Sequence, residues 1–258
     1  MPETYVDLNA DLGEGFGTYR LGRDVDLMPV ISSANVACGL HAGDPVIMRK
    51  TVRDAIRNDV GIGAHVGYPD LWGFGRRTVQ LSDDELYCFL LYQMGALAAF
   101  VGAEGAAMQH VKPHGTLYNE AGRREDLSRV ICRAVRDFDD GLILFVPAGS
   151  ITSEVARAMN LQVASEGFAD RGYTSDGSLV PRGKPGAIIE DPQAVSKRAV
   201  ALARGEVQAA DGSNLELEVD TICLHGDTPG AVMLAIAVRE NLEHNGITVR
   251  AAGTFLKE

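Results

Sequence analysis

The chain has 258 residues, above the usual size of one domain yet within the range of a single β/α barrel, so length points to one large core. Its 24 Lys and Arg against 35 Asp and Glu give a formal net charge of −11, a field that repels phosphate backbones and anionic lipids and argues against nucleic-acid and membrane-surface roles. With 46% hydrophobic and 23% charged residues the composition is too apolar for disorder; the longest apolar stretch, Leu90 to Met108, is broken by Gln93 and Glu104 and reads as a buried helix.

The sequence opens MPETYVDLNADLGEG, with acids where a signal peptide needs a basic start and an apolar middle, which predicts a cytoplasmic protein. Cys38, Cys88, Cys132 and Cys223 are dispersed, with no CxxC, and predict reduced thiols. Short β-like runs then alternate with amphipathic helical stretches, without an internal repeat or a linker, so residues 1–258 read as one domain of parallel βα units. In chain order the expected strands are Tyr5 to Leu8, Ala34 to Ala37, Ile62 to Val66, Gln109 to Lys112, Leu142 to Val146, Gln162 to Ser165, Thr221 to Leu224 and Ile247 to Arg250. Eight strands are the number of a closed β/α barrel.

Between them lie helix starts with a mechanism. Asp44 before Pro45 places an N-cap ahead of a first-turn proline, with Met48, Val52, Ala55 and Ile56 on one face. Ser82 with Glu85 makes a capping box before the stripe Leu86, Leu90, Met94, Leu97, Val101. Thr228 and Pro229 repeat the cap-then-proline start. The segment from Glu206 to Asp220, with DGSN at Asp211 to Asn214, predicts a small β-hairpin inserted as surface decoration.

In parallel α/β folds ligands sit beyond the carboxyl ends of the strands, so chemistry is sought in the residues after each strand. The first leads into Asp7, Asn9, Asp11 and Glu14; the second into Asn35, Cys38, His41 and Asp44; the third into His65 and Asp70; the fourth into Lys112 and His114; the Thr221 strand into His225 and Asp227. Four of the six histidines therefore lie at strand ends. Asp7, Asn9 and Asp11 alternate, so they share one side, where they could position a water or a metal or cap a loop. The cations Arg76, Arg77, Arg171, Arg182 and Lys184 lie in glycine-rich loops and suit an anion.

Two short matches fail. DLNADLGEG is not an EF-hand loop, because Leu12 stands where that loop needs glycine; GSLVPRGKP is not a Walker A loop, because Pro185 stands where Ser or Thr would hold magnesium. Cys38 reads as packed core more readily than as a nucleophile.

Taken together, DLNADLGEGFG, SANVACGLHAGDP, GAHVGYPDLWGFGRR, VKPHGTLYN, EGFADRGYTSDGSLVPRGKPGAII and LHGDTPGAV resemble the LamB/YcsF family, whose members serve as the A subunit of the prokaryotic ATP-dependent 5-oxoprolinase. The one departure, Val66 and Gly67 where the family often carries Pro-Ser, affects local loop shape. The resemblance implies a distorted parallel β/α barrel related to glycosidase and deacetylase folds. It also implies the reaction of 5-oxo-L-proline, ATP and water to L-glutamate, ADP and phosphate, with activity dependent on subunits B and C; self-association is compatible with this. For that chemistry the expected base is Asp11 or His41, with His65, His114 and Lys112 as donors to the reacting oxygen or phosphate. Arg171 or Arg182 is the expected carboxylate clamp, and Asp7, Asn9, Asn35 and His225 complete the expected substrate-binding set. The alternatives are a divalent-metal hydrolase using ligands drawn from Asp7, Asp11, His41, His65 and His225, and a lactam- or carbohydrate-binding protein without turnover.

Overall fold

The computed structural model describes residues 3–181, 183–224 and 230–256. Its strands are β1 (Thr4–Leu12), β2 (Ser33–Ala37), β3 (Gly61–Val66), β4 (His110–Pro113), β5 (Ile143–Pro147), β6 (Gln162–Phe168), the pair β7 (Glu206–Gln208) and β8 (Asn214–Glu216), then β9 (Thr221–Leu224) and β10 (Ile247–Val249). All eight expected strands form, but seven close the barrel. Parallel pairing runs β1-β2-β3-β4-β5-β6-β9 and returns from β9 to β1, while β10 pairs with Thr4–Val6 alone.

The reason lies in the length of β1. The carbonyls of Val6 and Leu8 lie on one edge of the strand and accept from Arg250 and Ser32, so β10 and β2 succeed one another along that edge and only β2 enters the ring. The nine residues of β1 also place Asn9 and Asp11 within the strand. Val6, Leu8, Ala10 and Leu12 then face outward into the apolar layer beneath the helices, and Asp7, Asn9 and Asp11 face the barrel interior.

The helices are α1 (Asp24–Leu27), α2 (Pro45–Arg57), α3 (Asp83–Ala103), α4 (Gly115–Ala121), α5 (Glu125–Phe138), α6 (Ile151–Ala158), α7 (Pro192–Ala203) and α8 (Ala231–His244). Asp44 caps α2 by accepting from the amides of Val46 and Ile47, and Ser82 and Glu85 form the reciprocal box at α3. α3 is long and apolar enough by length and composition to cross a membrane. Its Leu86, Leu90, Gln93, Met94, Leu97 and Val101 are buried, and it packs on α5, α2 and β3. The helix ends at Ala103, so the apolar stretch to Met108 continues into the turn before β4. α8 starts after Gly230; Thr228 and Pro229 lie outside the described residues.

The hairpin β7–β8 forms antiparallel, as its DGSN turn predicts. It is more than decoration. Val207 and Leu217 are buried, and Leu215, Glu216 and Leu217 line a cavity of about 360 Å³ beside the barrel mouth.

Candidate functional site

The interior of this barrel is polar where an apolar filling is usual. At its floor Asp7 accepts hydrogen bonds from the hydroxyls of Ser32, Ser33 and Thr221, and burial pushes its pKa up to about 6. Asp7 is therefore held by the lowest turn of the barrel and not at the mouth. Above it Asn9 donates to Glu166 at 2.8 Å and to Thr221 at 2.7 Å, and Asn35 donates to Asn9 and Asp11. His110 donates from Nε2 to the Asn35 amide oxygen at 2.7 Å and stacks on Phe145. Glycine is required opposite it, because a Cβ on Gly63 would overlap the imidazole. Burial, then the nearby Lys112 charge, lowers the His110 pKa to about 3, so the ring is a neutral strut.

Lys112 occupies the centre. Its buried ammonium donates to Asn9 and Asp11 at 3.1 Å, to Cys223 Sγ at 3.2 Å, and pairs with Glu166 at 2.8 Å. That is more acceptors than its three protons serve at once. Burial alone would pull the Lys112 pKa down, but Asp11, Cys223 and Glu166 outweigh it and hold the amine well above its usual range. For Asp11, burial acts upward, and His65 and then Lys112 outweigh it, holding the carboxylate well below the usual range. Tyr118 donates to the second oxygen of Glu166 at 2.5 Å, and burial with that carboxylate keeps the phenol protonated.

Beside Asp11 stand three imidazoles. His65 Nδ1 lies 3.0 Å from the carbonyl oxygen of Lys112, and His114 Nε2 lies 2.8 Å from that of Phe74. A carbonyl only accepts, so each of these nitrogens carries a proton. The remaining nitrogens, His65 Nε2 and His114 Nδ1, face one another at 2.9 Å, with Asp11 Oδ2 3.2 Å from the former. His41 stacks on His114 at 4.0 Å between centroids and 8° between planes; neither of its ring nitrogens has a hydrogen-bond partner among the described residues. Burial, with the neighbouring histidines adding to it, pushes the His41 pKa well below its usual value and that of His114 to about 3.

The glycine-rich loop after β3 builds the roof. Phe74 and Gly75 both have positive φ, which turns the Phe74 carbonyl onto His114. A Cβ on Gly75 would meet the His114 ring at 2.8 Å and the His41 Cβ at 2.9 Å. Of the two arginines in this loop, Arg76 borders the mouth, whereas Arg77 pairs with Asp70 on the surface.

A cavity of about 380 Å³ opens over this group, bordered by Asp11, His65, Lys112, His114, Arg171 and Cys223 among others. It brings together four of the five expected catalytic residues; His41 lies behind His114 and does not border it. Asn9 and Asn35 orient the group from below and Asp7 stays at the floor. Arg171 borders the cavity while its Nε and Nη2 hold the Ala187 and Val180 carbonyls, so it also shapes the loop it sits in. Arg182 and His225 lie outside the described residues. Cys38 is buried with its thiol donating to the Val36 carbonyl, and burial pushes its pKa up to about 12, the behaviour of packed core.

Local sequence pattern does not single out Glu166, His110, Tyr118 or Cys223 as site residues. Glu166 is the most legible of them, as the one acid in the run Gln162–Phe168. Glu14, partly buried after β1, joins His41, His65 and His114 in a group whose ligand-type atoms all lie within 4.8 Å of one another and which could hold a metal ion.

Comparison with known proteins agrees with this architecture. A 5-oxoprolinase A subunit from Pyrococcus furiosus is 54% identical over 253 residues, covering 98% of this chain and 99% of that one. A protein of the same name from Syntrophobacter fumaroxidans is 51% identical over 249 residues, 96% of this chain and 98% of its own. The crystal structure of a lactam utilization protein from Thermus thermophilus superposes with a TM-score of 0.92 at 47% identity, covering 96% of this chain and 99% of that one. The sequence profile of the LamB/YcsF family matches residues 6–257. With relatives at this identity along nearly its whole length, the chain belongs to the LamB/YcsF family.

Proposed function

We propose that this chain is the A subunit of a cytoplasmic ATP-dependent 5-oxoprolinase. It opens the lactam of 5-oxo-L-proline to L-glutamate, coupled to ATP hydrolysis, in a complex with subunits B and C. The observation that carries the reading is the buried Lys112 ammonium between Asp11 and Glu166, beside the His65–His114 pair and under a cavity of about 380 Å³. The relatives, named as 5-oxoprolinase A subunits and as a lactam utilization protein, give its substrate class. The free cysteines suit a reducing compartment.

A lactam carbonyl is resonance-stabilised and opens poorly to water; phosphorylating its oxygen at the expense of ATP activates the carbon, so that water adds, the C–N bond breaks with a proton passing to the departing nitrogen, and a second water releases phosphate from the acyl phosphate formed. Attack on the activated carbon then needs a base, donors for the phosphoryl-bearing oxygen and a cation for the substrate carboxylate. Asp11 is the base. In the resting site its carboxylate is stabilised by His65 and Lys112, which makes it a weak proton acceptor. As the phosphorylated lactam enters the site, Lys112 exchanges one of its acceptors for a phosphoryl oxygen, Asp11 loses a counter-charge, and its affinity for the water proton rises. His65, 3.2 Å from Asp11 and backed by His114, orients that carboxylate, and Arg171 or Arg182 receives the substrate carboxylate.

Reconstitution with subunits B and C tests this reading. Glutamate should form from 5-oxoproline only with ATP and all three subunits present. Its absence from the complete mixture, with tight binding of 5-oxoproline to this chain alone, would favour a lactam-binding protein without turnover.

A further inference from the structure

We infer that Glu14, His41, His65 and His114 form a binding site for one divalent cation of the zinc class. The four residues come from the loops after β1 and β2 and from the ends of β3 and β4, and their ligand-type atoms lie within 4.8 Å of one another. Three imidazoles and one carboxylate make a nitrogen-rich, borderline-soft set that suits zinc or cobalt and not magnesium or calcium.

The protonation pattern carries the argument further than proximity. Backbone carbonyls fix protons on His65 Nδ1 and His114 Nε2, so His65 Nε2 and His114 Nδ1 are left facing each other across 2.9 Å. Two lone pairs at that distance repel unless a positive charge lies between them. Metal-bound histidines are held in this way, one nitrogen on the ion and the other donating to a fixed oxygen. His41 adds an independent sign: it is fully buried, with both ring nitrogens lacking a hydrogen-bond partner among the described residues. An imidazole desolvated without a partner costs free energy that a metal bond would offset. Two nitrogens on a tetrahedral ion stand about 3.3 Å apart, so the pair needs to open by only a few tenths of an ångström.

The competing occupant of the gap is a single proton shared by the two rings. The inference is independent of which reaction the chain runs.

The test is binding to the whole chain, read without any activity assay. Chelator-treated protein is titrated with zinc by calorimetry and with cobalt by visible absorption, for wild type, His114→Ala, Glu14→Gln and the surface control His244→Ala. One ion per chain is expected, with a raised melting temperature and a cobalt spectrum of nitrogen and oxygen ligands. Affinity should fall more than roughly 100-fold in His114→Ala, fall less in Glu14→Gln, and hold in His244→Ala. Glu14 is only partly buried, so Glu14→Gln stays informative if His114→Ala fails to fold. Absence of zinc or cobalt binding, or wild-type affinity in both site variants, overturns the inference and leaves the proton as the occupant.

Discussion

Lys112 shows how far a single residue departs from ordinary barrel packing. A buried ammonium is tolerated only when paired, and here Asp11 and Glu166 supply the charge while Asn9 and Cys223 supply further acceptors. Glu166→Gln keeps the shape and the acceptor oxygen but removes one counter-charge. It should cost on the order of 3 kcal/mol, the low end for breaking a buried pair because Asp11 still holds the amine, and lower the melting temperature by roughly 6–12 °C. An unchanged melting temperature would mean that Asp11 alone neutralises Lys112. Asp7, by contrast, is tied to three hydroxyls at the floor, which fits a structural acid and not a ligand.

At the level of elements, the glycines separate roof from scaffold. Gly75 has φ +62° and its Cβ position is filled by His114 and His41, so Gly75→Ala should cost roughly 1–2 kcal/mol from the left-handed backbone alone and displace the rings. Gly102, inside α3 with open space around its Cβ position, should accept alanine with a gain of about 0.5–1 kcal/mol. Thermal melts of the two variants should move in opposite directions; equal shifts would mean the roof loop yields. The same contrast explains which site residues are legible in the sequence. Strand ends can be read because β-branched runs stop at glycines and polar residues, which exposes Asp11, His41, His65, Lys112 and His114. Glu166 escapes because β6 runs three residues past its expected end, to Phe168, and carries the acid on its inward pleat. His110 escapes because an inward histidine at the start of β4 has no local signature; the space for it is made by Gly63 on the neighbouring strand. The seven-strand closure comes from edge sharing along β1, a long-range fact that no local pattern encodes.

Across the whole molecule, buried neutral histidines set the response to acid. His110 and His114 have pKa values lowered to about 3 and His41 is lowered well below its usual value, so between that range and about 6.5 the unfolded chain binds protons that the folded chain refuses. Their stabilisation is complete above about pH 6.5 and is lost as pH falls. Asp7, raised to about 6, acts the other way: its contribution is present below about pH 4 and is lost as pH rises through 6. Near pH 5 the three histidines outweigh the one acid, and stability should fall by roughly 2–3 kcal/mol per pH unit on acidification. Thermal melts from about pH 7 to about pH 5 should show a steep decline, and a flat profile would mean that the histidines are charged in the folded state. In the proposed function the lactam is opened at the polar barrel mouth. Glutamate formation by the complex reconstituted with subunits B and C, comparing wild type with Asp11→Asn, addresses that directly. Asn keeps the size and most hydrogen bonds of Asp11 but cannot take the proton, so turnover should drop by roughly 10²- to 10⁴-fold; it also removes a counter-charge of Lys112, so the melting temperature should fall as in Glu166→Gln, and turnover is compared at a temperature where both proteins are folded. Wild-type turnover in Asp11→Asn would contradict the assignment of the base and, with it, the placement of the reaction at Asp11.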